Sequence, residues 1–298
     1  MAEPDNQQAS PEADPSDEVE LLEVFRNFIT GSHILHYHGV VDAYGHMSLR
    51  NPNNPSTFYM SQNQAPALIS SMSDIIEYNI SDASPIDPDA APGYSERCIH
   101  SEILKRFPAM NVVVHSHCAD VLPFCITNVP LKACIHMAGF LDAEGVPVWD
   151  IANAYERGET QDLLVRNTRL GASLAAQFSG DRGFPRHKPA YTVVLMRGHG
   201  FTTAGRSIEE AVYQSIYTKE AAKAQMSALA LNQGYFNGRV GQWSSGSGTA
   251  ARAGQVAALS AREAVDAWEM NCATVKRPWG LWVREVECVK LYRNECAT

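Results

Sequence analysis

Three histidines follow two strongly apolar segments of the chain and could bind a metal ion. Residues 112–117 read Val-Val-Val-His-Ser-His, and residues 193–200 read Val-Val-Leu-Met-Arg-Gly-His-Gly. Side chains two residues apart point to the same face of a β-strand, so His115 and His117 are predicted to lie together at a strand end. His199 stands between two glycines, where the backbone can turn tightly and approach another element closely.

Three neutral imidazoles from two strands would bind a divalent ion and leave a coordination position free for a substrate. An open position of this kind is typical of catalytic metal sites, so the pattern predicts an enzyme. A His-x-His pair alone is a weak signal, because one histidine in a strand is more often a hydrogen-bonded core or surface residue.

The order of the motifs resembles that of the class II aldolase/adducin family. Ser95 and Glu96 precede a predicted helix, the Val-His-Ser-His motif follows, and the Gly-His-Gly motif ends a later strand. The similarity runs from about Leu21 to about Gln233. It implies an α/β fold of three layers, with a central mixed or antiparallel sheet flanked by helices.

The resemblance also implies roles for individual residues. It places one divalent metal ion on His115, His117 and His199, with Zn²⁺ expected first and Mn, Co or Fe as alternatives. It makes Glu96 the acid/base group, which in some members is also a metal ligand. The predicted helix of residues 95–106 would hold Glu96 in its first turn, where the helix dipole favours a carboxylate.

Two departures from the family pattern argue against a phosphorylated substrate. Sugar-phosphate members of the family carry a Gly-Asn-x-Ser motif and a Thr-Pro-Thr-Gly loop that bind the phosphate. Here the first motif reads Gly-His-Met-Ser over residues 45–48, and residues 58–62 read Phe-Tyr-Met-Ser-Gln in place of the loop. We therefore expect the substrate to be unphosphorylated.

A segment rich in His and Tyr replaces the phosphate site. Residues 38–48 follow the pattern His-Gly-x-x-Asp-x-x-Gly-His-x-Ser, which is similar to that of family members that decarboxylate dihydroxylated aromatic acids. The alternative is an aromatic turn that packs over the sheet edge. We predict His46 as a catalytic residue, and as substrate-binding residues His36, His38, Ser48, Arg50 and His136, although a lone histidine such as His136 is more often a core residue.

These observations predict a metal-dependent carbon–carbon lyase. It would decarboxylate, or cleave by a retro-aldol reaction, a small hydroxylated acid or ketone, aromatic acids included, through a metal-stabilised enolate, while Glu96 moves the proton. Two alternatives stay open. One is a non-haem iron oxygenase that acts on an aromatic acid, and the other is an adducin-like interaction module without enzymatic activity.

Charge and composition predict the domain organisation. Residues 1–20 contain seven acidic residues and no Lys or Arg, so of the formal net charge of −9 only −2 falls on the remaining chain. This predicts a disordered acidic tail over 1–20. The catalytic domain is predicted over 21–233, a Gly/Ser-rich loop over 234–258 and a helical extension over 259–298.

The same features bear on partners and location. The nearly neutral body predicts no nucleic-acid partner. The chain has no apolar run of membrane-spanning length and no disulfide-like spacing among its seven cysteines, so we expect a cytoplasmic protein without a membrane partner, acting on a small molecule.

Further elements are predicted beyond the metal strands. We expect a strand over 133–137, a helix over 160–178, and a helix over 259–271 that residues 277–282 terminate. The family resemblance implies a cyclic homotetramer in which a C-terminal tyrosine approaches the active site of a neighbour. Tyr292 is the predicted catalytic tyrosine, with Trp279 and Trp282 as further candidates for contact there.

Overall fold

A central sheet of seven strands organises the chain. The computed structural model describes residues 15–180, 188–237 and 256–297. Neighbouring strands are antiparallel except for one parallel pair, β5 and β6. The strands are β1 (His46–Arg50), β2 (Thr57–Ser61), β3 (Ile75–Asn79), β4 (Val112–Ser116), β5 (Val148–Trp149), β6 (Val193–Met196) and β7 (Gly200–Gly205), in the spatial order β3-β2-β1-β4-β7-β6-β5.

Helices cover both faces of this sheet, so the predicted α/β fold with a mixed sheet is confirmed. One face packs against α2 and α4, and the other packs against α1 and α5 together with the C-terminal helices. Within the described residues the helices are α1 (Pro15–Tyr37), α2 (Arg97–Arg106), α3 (Leu122–Ile126), α4 (Thr168–Gln177), α5 (Ile208–Asn237), α6 (Ala261–Ala273) and α7 (Lys276–Glu287).

Side chains along β4 alternate between the two faces of the sheet, and this alternation places His115 on one of them. Val113 belongs to the core with α2 and α4, whereas Val112 and Val114 belong to the core with α1 and α5. Because the strand period is two, His115 shares the face of Val113. On β1, His46 and Ser48 pair in register with His115 and Val113, so all four side chains lie on the face covered by α2.

Three of the predicted elements are wrong. Residues 133–137 form no strand, because Ala133 pairs its backbone with Asp142 and Leu259 in loop contacts and a short 3-10 turn follows at His136–Ala138. The helix predicted over 160–178 begins at Thr168, where the Asn167 side chain accepts a hydrogen bond from the Leu170 backbone N–H. A side-chain cap of this type satisfies an otherwise free N–H, and it sets the start of the helix.

The third error concerns residues 277–282, which lie inside α7 instead of ending a helix. Pro278 stands in the first turn of α7, where a helix needs no backbone N–H from it. Pro278 is therefore compatible with the helix that continues through Trp279 and Trp282. The break predicted here falls instead at residues 274–275, between α6 and α7.

The ends of the predicted domains are described only in part. Residues 15–20 of the predicted tail belong to α1, and α5 continues to Asn237 into the predicted loop. The rest of the tail, residues 1–14, and residues 238–255 of the loop lie outside the described residues. No helix in the described part of the chain is long and apolar enough to cross a membrane.

Candidate metal centre

His115 and His117 meet at the end of β4. Their Nε2 atoms lie 2.9 Å apart, and His115 is fully buried. The other ring nitrogen of His115, Nδ1, lies 3.2 Å from Oγ1 of Thr202, its register partner on β7. The Thr202 hydroxyl donates to Met196 Sδ at 3.2 Å, so it accepts from His115 Nδ1–H. This leaves the Nε2 lone pair free for a metal ion.

Two glycines bring His199 to the same point. His199 lies in the turn between β6 and β7, and its N–H donates to the Met196 carbonyl. Gly198 and Gly200 have φ values of +65° and +148°, and a Cβ on Gly200 would lie 1.9 Å from the Ser116 carbonyl oxygen. Only glycine permits the backbone at position 200 to approach the backbone of Ser116 this closely. As a result, the His199 ring centroid lies 4.8 Å from those of both His115 and His117.

Glu96 completes the cluster from the α2 side of the sheet. It is the residue immediately before α2, not a first-turn residue as predicted, and it is 5% exposed. Its Oε1 accepts a hydrogen bond from the Val165 N–H at 3.0 Å. Its Oε2 lies 3.7 Å from His115 Nε2 and 3.6 Å from His199 Nε2.

The four side chains have the chemistry and spacing that a divalent ion requires. One ligand atom from each of Glu96, His115, His117 and His199 lies within 4.8 Å of the other three. A tetrahedral ion with ligands at about 2.1 Å would separate its ligand atoms by about 3.4 Å. Burial, and then the neighbouring His199, lower the pKa of His115 and His117. The imidazoles are therefore held in the neutral form that binds metal.

His46 lies beside this cluster and contacts a histidine that the sequence analysis did not select. His46 Nδ1 lies 2.7 Å from His100 Nε2, and the His46 ring centroid lies 5.2 Å from that of His115. His100 on α2 reaches Ser48 Oγ with its other nitrogen, also at 2.7 Å. The spacing of Glu96 and His100, four residues apart at the start of a helix, could have indicated that both face the site.

Tyr44 lies beside the cluster, next to His117, and the sequence analysis did not select it. Its side chain is 68% exposed, and its ring centroid lies 6.4 Å from that of His117. Its backbone N–H donates to Asp42 Oδ1, which fixes the turn that carries it. An exposed tyrosine beside a buried polar cluster is a signal that only the three-dimensional arrangement provides.

His36, His38 and Tyr292 form a separate group at the end of α1. His36 Nδ1 lies 2.8 Å from the Tyr292 hydroxyl. His38 Nε2 lies 3.3 Å from Glu285, and its ring packs against Trp282. Within the protomer these residues contact its own C-terminal segment, and they make no ring or hydrogen-bond contact with the metal-site histidines.

Arg50 and His136 are not brought to the cluster. The Arg50 guanidinium donates to the backbone carbonyls of Leu104, Met110 and Pro55. Its donors therefore hold these backbone segments in place and are not free for a substrate. The side chain of His136 is exposed. Ser48 does lie near the centre, but it is fully buried and reaches the site only through His100.

Comparison with known families assigns the chain to one of them. The model of the class II aldolase and adducin N-terminal domain matches residues 26–226. The chain belongs to this family. Matched residues include β1, β4, β6 and β7, which carry or flank the histidine cluster.

Curated relatives of this family member are decarboxylases. Decarboxylase tropJ of Talaromyces stipitatus is 46% identical over 269 residues, which cover 90% of this chain and 96% of the relative. The 3,4-dihydroxyphthalate decarboxylase of Arthrobacter keyseri is 33% identical over 61% of this chain and 69% of its own length. Together with the family match, these relatives support a lyase of the class II aldolase superfamily.

Solved structures show the same fold. L-fuculose 1-phosphate aldolase from Glaciozyma antarctica superposes with a TM-score of 0.65 at 17% identity, covering 95% of this chain and 97% of that chain. An aldolase II superfamily protein from Pseudomonas syringae gives the same TM-score at 19% identity, covering 94% of this chain and 96% of that chain. Enzymes of this family act on small molecules, and the family is generally dependent on a divalent metal.

Proposed function

We propose that this protein is a metal-dependent decarboxylase of a small, unphosphorylated, hydroxylated aromatic acid. The main support is the cluster of three imidazoles and one carboxylate within 4.8 Å of one another, two of them buried and two partly buried, in a chain that is 46% identical to a decarboxylase over nine-tenths of its length. We propose Zn²⁺ as the ion, held by His115, His117 and His199.

The residues around the cluster have distinct parts in this reaction. A bound divalent ion would supply Lewis-acid polarisation of the substrate oxygens. The aromatic ring of the substrate lies against the exposed ring of Tyr44, beside His117. Tyr44 has two χ angles and a large apolar face, so it can pack against a planar substrate at a small entropic cost.

Glu96 carries the proton. The bond between the ring carbon and the carboxylate breaks, carbon dioxide leaves, and the electron pair stays on the ring carbon. Glu96 then protonates that carbon and is reprotonated from solvent. Its Oε1 is held by the Val165 N–H, so Oε2 is the oxygen directed at the cluster and available for proton transfer.

The environment of His46 favours an acid over a sugar phosphate. Binding a phosphate dianion needs several hydrogen-bond donors or cations. Arg50, the nearest arginine in sequence, donates instead to backbone carbonyls, and His46 and Ser48 are both bonded to His100. The Arg50 guanidinium, the Ser48 hydroxyl and Nδ1 of His46 are therefore committed within the protein, and we propose that the substrate carries no phosphate.

One experiment tests the proposal. The purified chain is analysed for metal and then incubated without oxygen with 3,4-dihydroxyphthalate, with carbon dioxide and the decarboxylated product measured by mass spectrometry. L-Fuculose 1-phosphate serves as the comparison substrate. Release of carbon dioxide from the aromatic acid and no cleavage of the sugar phosphate are the expected results.

The remaining outcomes distinguish the alternatives. Turnover only in the presence of dioxygen would replace the proposal with an iron oxygenase. If the protein is purified without a chelator and contains no metal, the result would favour an adducin-like interaction module.

We also propose a homotetramer in which Tyr292 approaches the site of a neighbouring subunit. Light scattering combined with a Tyr292→Phe variant would test that arrangement.

A further inference from the structure

Two residues other than glycine have a left-handed backbone conformation in the described part of the chain, and both lie on segments that bond to the start of α2. Ala83 has a φ of +63°, and its carbonyl accepts a hydrogen bond from Arg97 Nε at 2.7 Å. Leu163 has a φ of +70° and lies two residues before Val165, whose N–H donates to Glu96. Residues with a side chain rarely adopt this conformation, and it persists only where surrounding contacts hold it.

Three successive backbone N–H groups, beginning at Leu163, donate to side-chain oxygens. The N–H of Leu163 donates to the Tyr155 hydroxyl at 2.9 Å, and the next one donates to Asp162 Oδ1 at 3.2 Å. The third donates to Glu96 Oε1 at 3.0 Å. A left-handed residue changes the course of the chain, so the direction of the third N–H depends on the conformation of Leu163.

The body of the fold holds Tyr155 in place. Its ring and the Leu163 side chain are partly buried, and both pack against the core shared with α2 and α4. The chain on either side of Tyr155 is fixed by Arg169 on α4, which donates to the Ala154 carbonyl and to both carboxylate oxygens of Glu159, at 2.5 Å each. The Tyr155 hydroxyl is therefore a fixed acceptor for the Leu163 N–H.

The side chain of Leu163 contacts the turn that carries His199. Its Cδ1 lies 3.5 Å from the position that a Cβ would occupy on Gly198, the residue before His199. The segment that bonds Glu96 therefore also packs against the part of the chain that presents a proposed metal ligand.

We propose that Tyr155 is a positioning residue for Glu96. By accepting the Leu163 N–H, its hydroxyl holds Leu163 in the left-handed conformation, and this conformation aims the Val165 N–H at Glu96 Oε1. Without the hydroxyl, Leu163 relaxes to a negative φ, the Val165 N–H turns away, and the Glu96 carboxylate is free to rotate. The positioning is independent of the reaction, whereas its effect on catalysis rests on the proposed function.

Hydrogen exchange measures the Val165 bond without any need for turnover. The full-length protein is compared with Tyr155→Phe, which removes only the hydroxyl, by mass spectrometry with fragmentation that resolves single amides. Glu96→Ala, which removes the acceptor itself, gives the rate for the fully broken bond. We expect the Val165 amide to exchange at least about tenfold faster in Tyr155→Phe than in the wild-type protein. An unchanged rate would overturn the proposal.

Tyr213→Phe is the matched control. The Tyr213 hydroxyl also bonds a backbone group, the Met137 carbonyl at 3.0 Å, but its ring packs in the core on the other face of the sheet. We expect both phenylalanine variants to lose similar stability in denaturation curves, and only Tyr155→Phe to accelerate exchange at Val165. Equal acceleration by the two variants would mean that the exchange follows global stability, and it would refute a specific role for Tyr155.

Two variants of Leu163 separate the backbone from the side chain. Glycine adopts a positive φ freely but lacks the side chain that contacts Gly198, whereas isoleucine keeps an apolar side chain of equal size that opposes a positive φ because it is branched at Cβ. We expect exchange at Val165 to stay within about threefold of the wild-type rate in Leu163→Gly and to rise at least about tenfold in Leu163→Ile. Equal rates in the two variants, or the reverse order, would overturn the backbone account.

Activity gives an independent readout once a substrate is known. We expect Tyr155→Phe to lower kcat about tenfold with KM within about threefold, and Tyr213→Phe to leave both within about twofold. In the Glu96→Gln background, Tyr155→Phe should cause no further loss, because the proton carrier that it positions is already absent. A tenfold loss in that background as well would overturn a role through Glu96.

The exchange measurements separate this inference from the proposed function. If exchange at Val165 changes as expected while no aromatic acid is decarboxylated, the proposed reaction fails and the positioning of Glu96 by Tyr155 stands. If the acid is decarboxylated while exchange at Val165 is the same in the wild-type protein and Tyr155→Phe, the reaction stands and the positioning role is refuted.

Discussion

Glu96 is held by Val165, a residue 69 positions away, through a 3.0 Å hydrogen bond from the Val165 backbone N–H to Glu96 Oε1. The bond joins the start of α2 to the segment that leads into α4. It leaves Oε2 facing the histidines, at 3.6 Å from His199 Nε2. We therefore propose separate tasks for the two oxygens of this carboxylate, one structural and one chemical.

Replacing Glu96 with glutamine separates these tasks. Glu96→Gln preserves the side-chain shape and an oxygen that can accept from Val165, but it cannot transfer a proton. We expect the variant to keep its metal and to lose at least about 100-fold in kcat, measured by carbon dioxide release and elemental analysis. Near-normal turnover would show that Glu96 serves as a structural acceptor only.

Loss of one imidazole should release the metal. His117→Ala leaves two nitrogen ligands, and we expect the metal content to fall from about one ion per chain to near zero after dialysis, because affinity depends on all three imidazoles. Elemental analysis measures the ratio. His136→Ala, which removes an exposed histidine, is the control and should retain the wild-type ratio. Full metal content in His117→Ala would place the ion elsewhere.

The approach of β7 to β4 depends on Gly200. Gly200→Ala puts a Cβ where the Ser116 carbonyl lies, and it imposes a φ that non-glycine residues rarely adopt. We expect a loss of more than about 2 kcal/mol in the free energy of unfolding, together with weakened metal binding, because His199 moves.

Gly234 provides the comparison for that variant. It lies in α5 and is exposed, and among the described residues no atom outside its own helix backbone and chain neighbours lies within 4 Å of the position that a Cβ would occupy there. Gly234→Ala should raise the free energy of unfolding by about 0.5–1 kcal/mol, since alanine is the better helix former. Chemical denaturation measures both variants, and equal stability of the two would contradict the steric account of Gly200.

Tyr44 should affect substrate binding more than chemistry. We expect Tyr44→Ala to raise KM about three- to tenfold with a smaller change in kcat, because aromatic packing contributes about 0.5–1.5 kcal/mol. Tyr44→Phe keeps the ring and should leave KM within about twofold. Steady-state kinetics with the aromatic acid distinguishes the two, and a KM that is unchanged in Tyr44→Ala would remove Tyr44 from the substrate site.

The lowered pKa of His33 predicts how the free energy of unfolding depends on pH. It donates from Nε2 to the Ile69 carbonyl, and burial lowers its pKa from 6.5 to about 4. Between these values the unfolded chain binds a proton at this position and the folded chain does not. Stability therefore falls as the pH is lowered from about 6.5 to 4, by up to about 1.4 kcal/mol per pH unit from this residue.

Comparison with His33→Gln isolates that contribution. Glutamine retains a donor for Ile69 but does not titrate, and the metal-site histidines are the same in both proteins. Denaturation curves between pH 7 and pH 4.5, recorded with a chelator present, should give a smaller pH dependence for the variant. Identical slopes would mean that His33 is protonated in the folded state.

Much of the site was predictable from local patterns. The β-branched run before His115 requires a buried strand, and the period of a strand puts His115 and His117 on one face. The glycines around His199 require a tight turn with close backbone approach. The family resemblance added Glu96. The histidine positions depend on residues near one another in the sequence, so local rules were sufficient to find them, whereas Glu96 needed the resemblance.

Errors arose where tertiary contacts override local preference. The apolar residues 133–137 read as a strand, but their backbone partners come from residue 142 and from residue 259, far along the chain. The residues 36 and 38 lie only eight to ten positions before His46, yet they pack against the C-terminal segment. Proximity in sequence was a poor guide to proximity in space.

The sequence by itself determined which histidines could form the proposed metal centre, the strand face that carries His115, and the absence of the family's phosphate motifs, because these follow from residue type and period. Only the tertiary structure decided which groups surround that centre: the register of β1 and β4 sets His46 beside His115, and the packing of α2 sets His100 between His46 and Ser48. Strand register and helix packing depend on the burial of the whole core, and no local pattern encodes them.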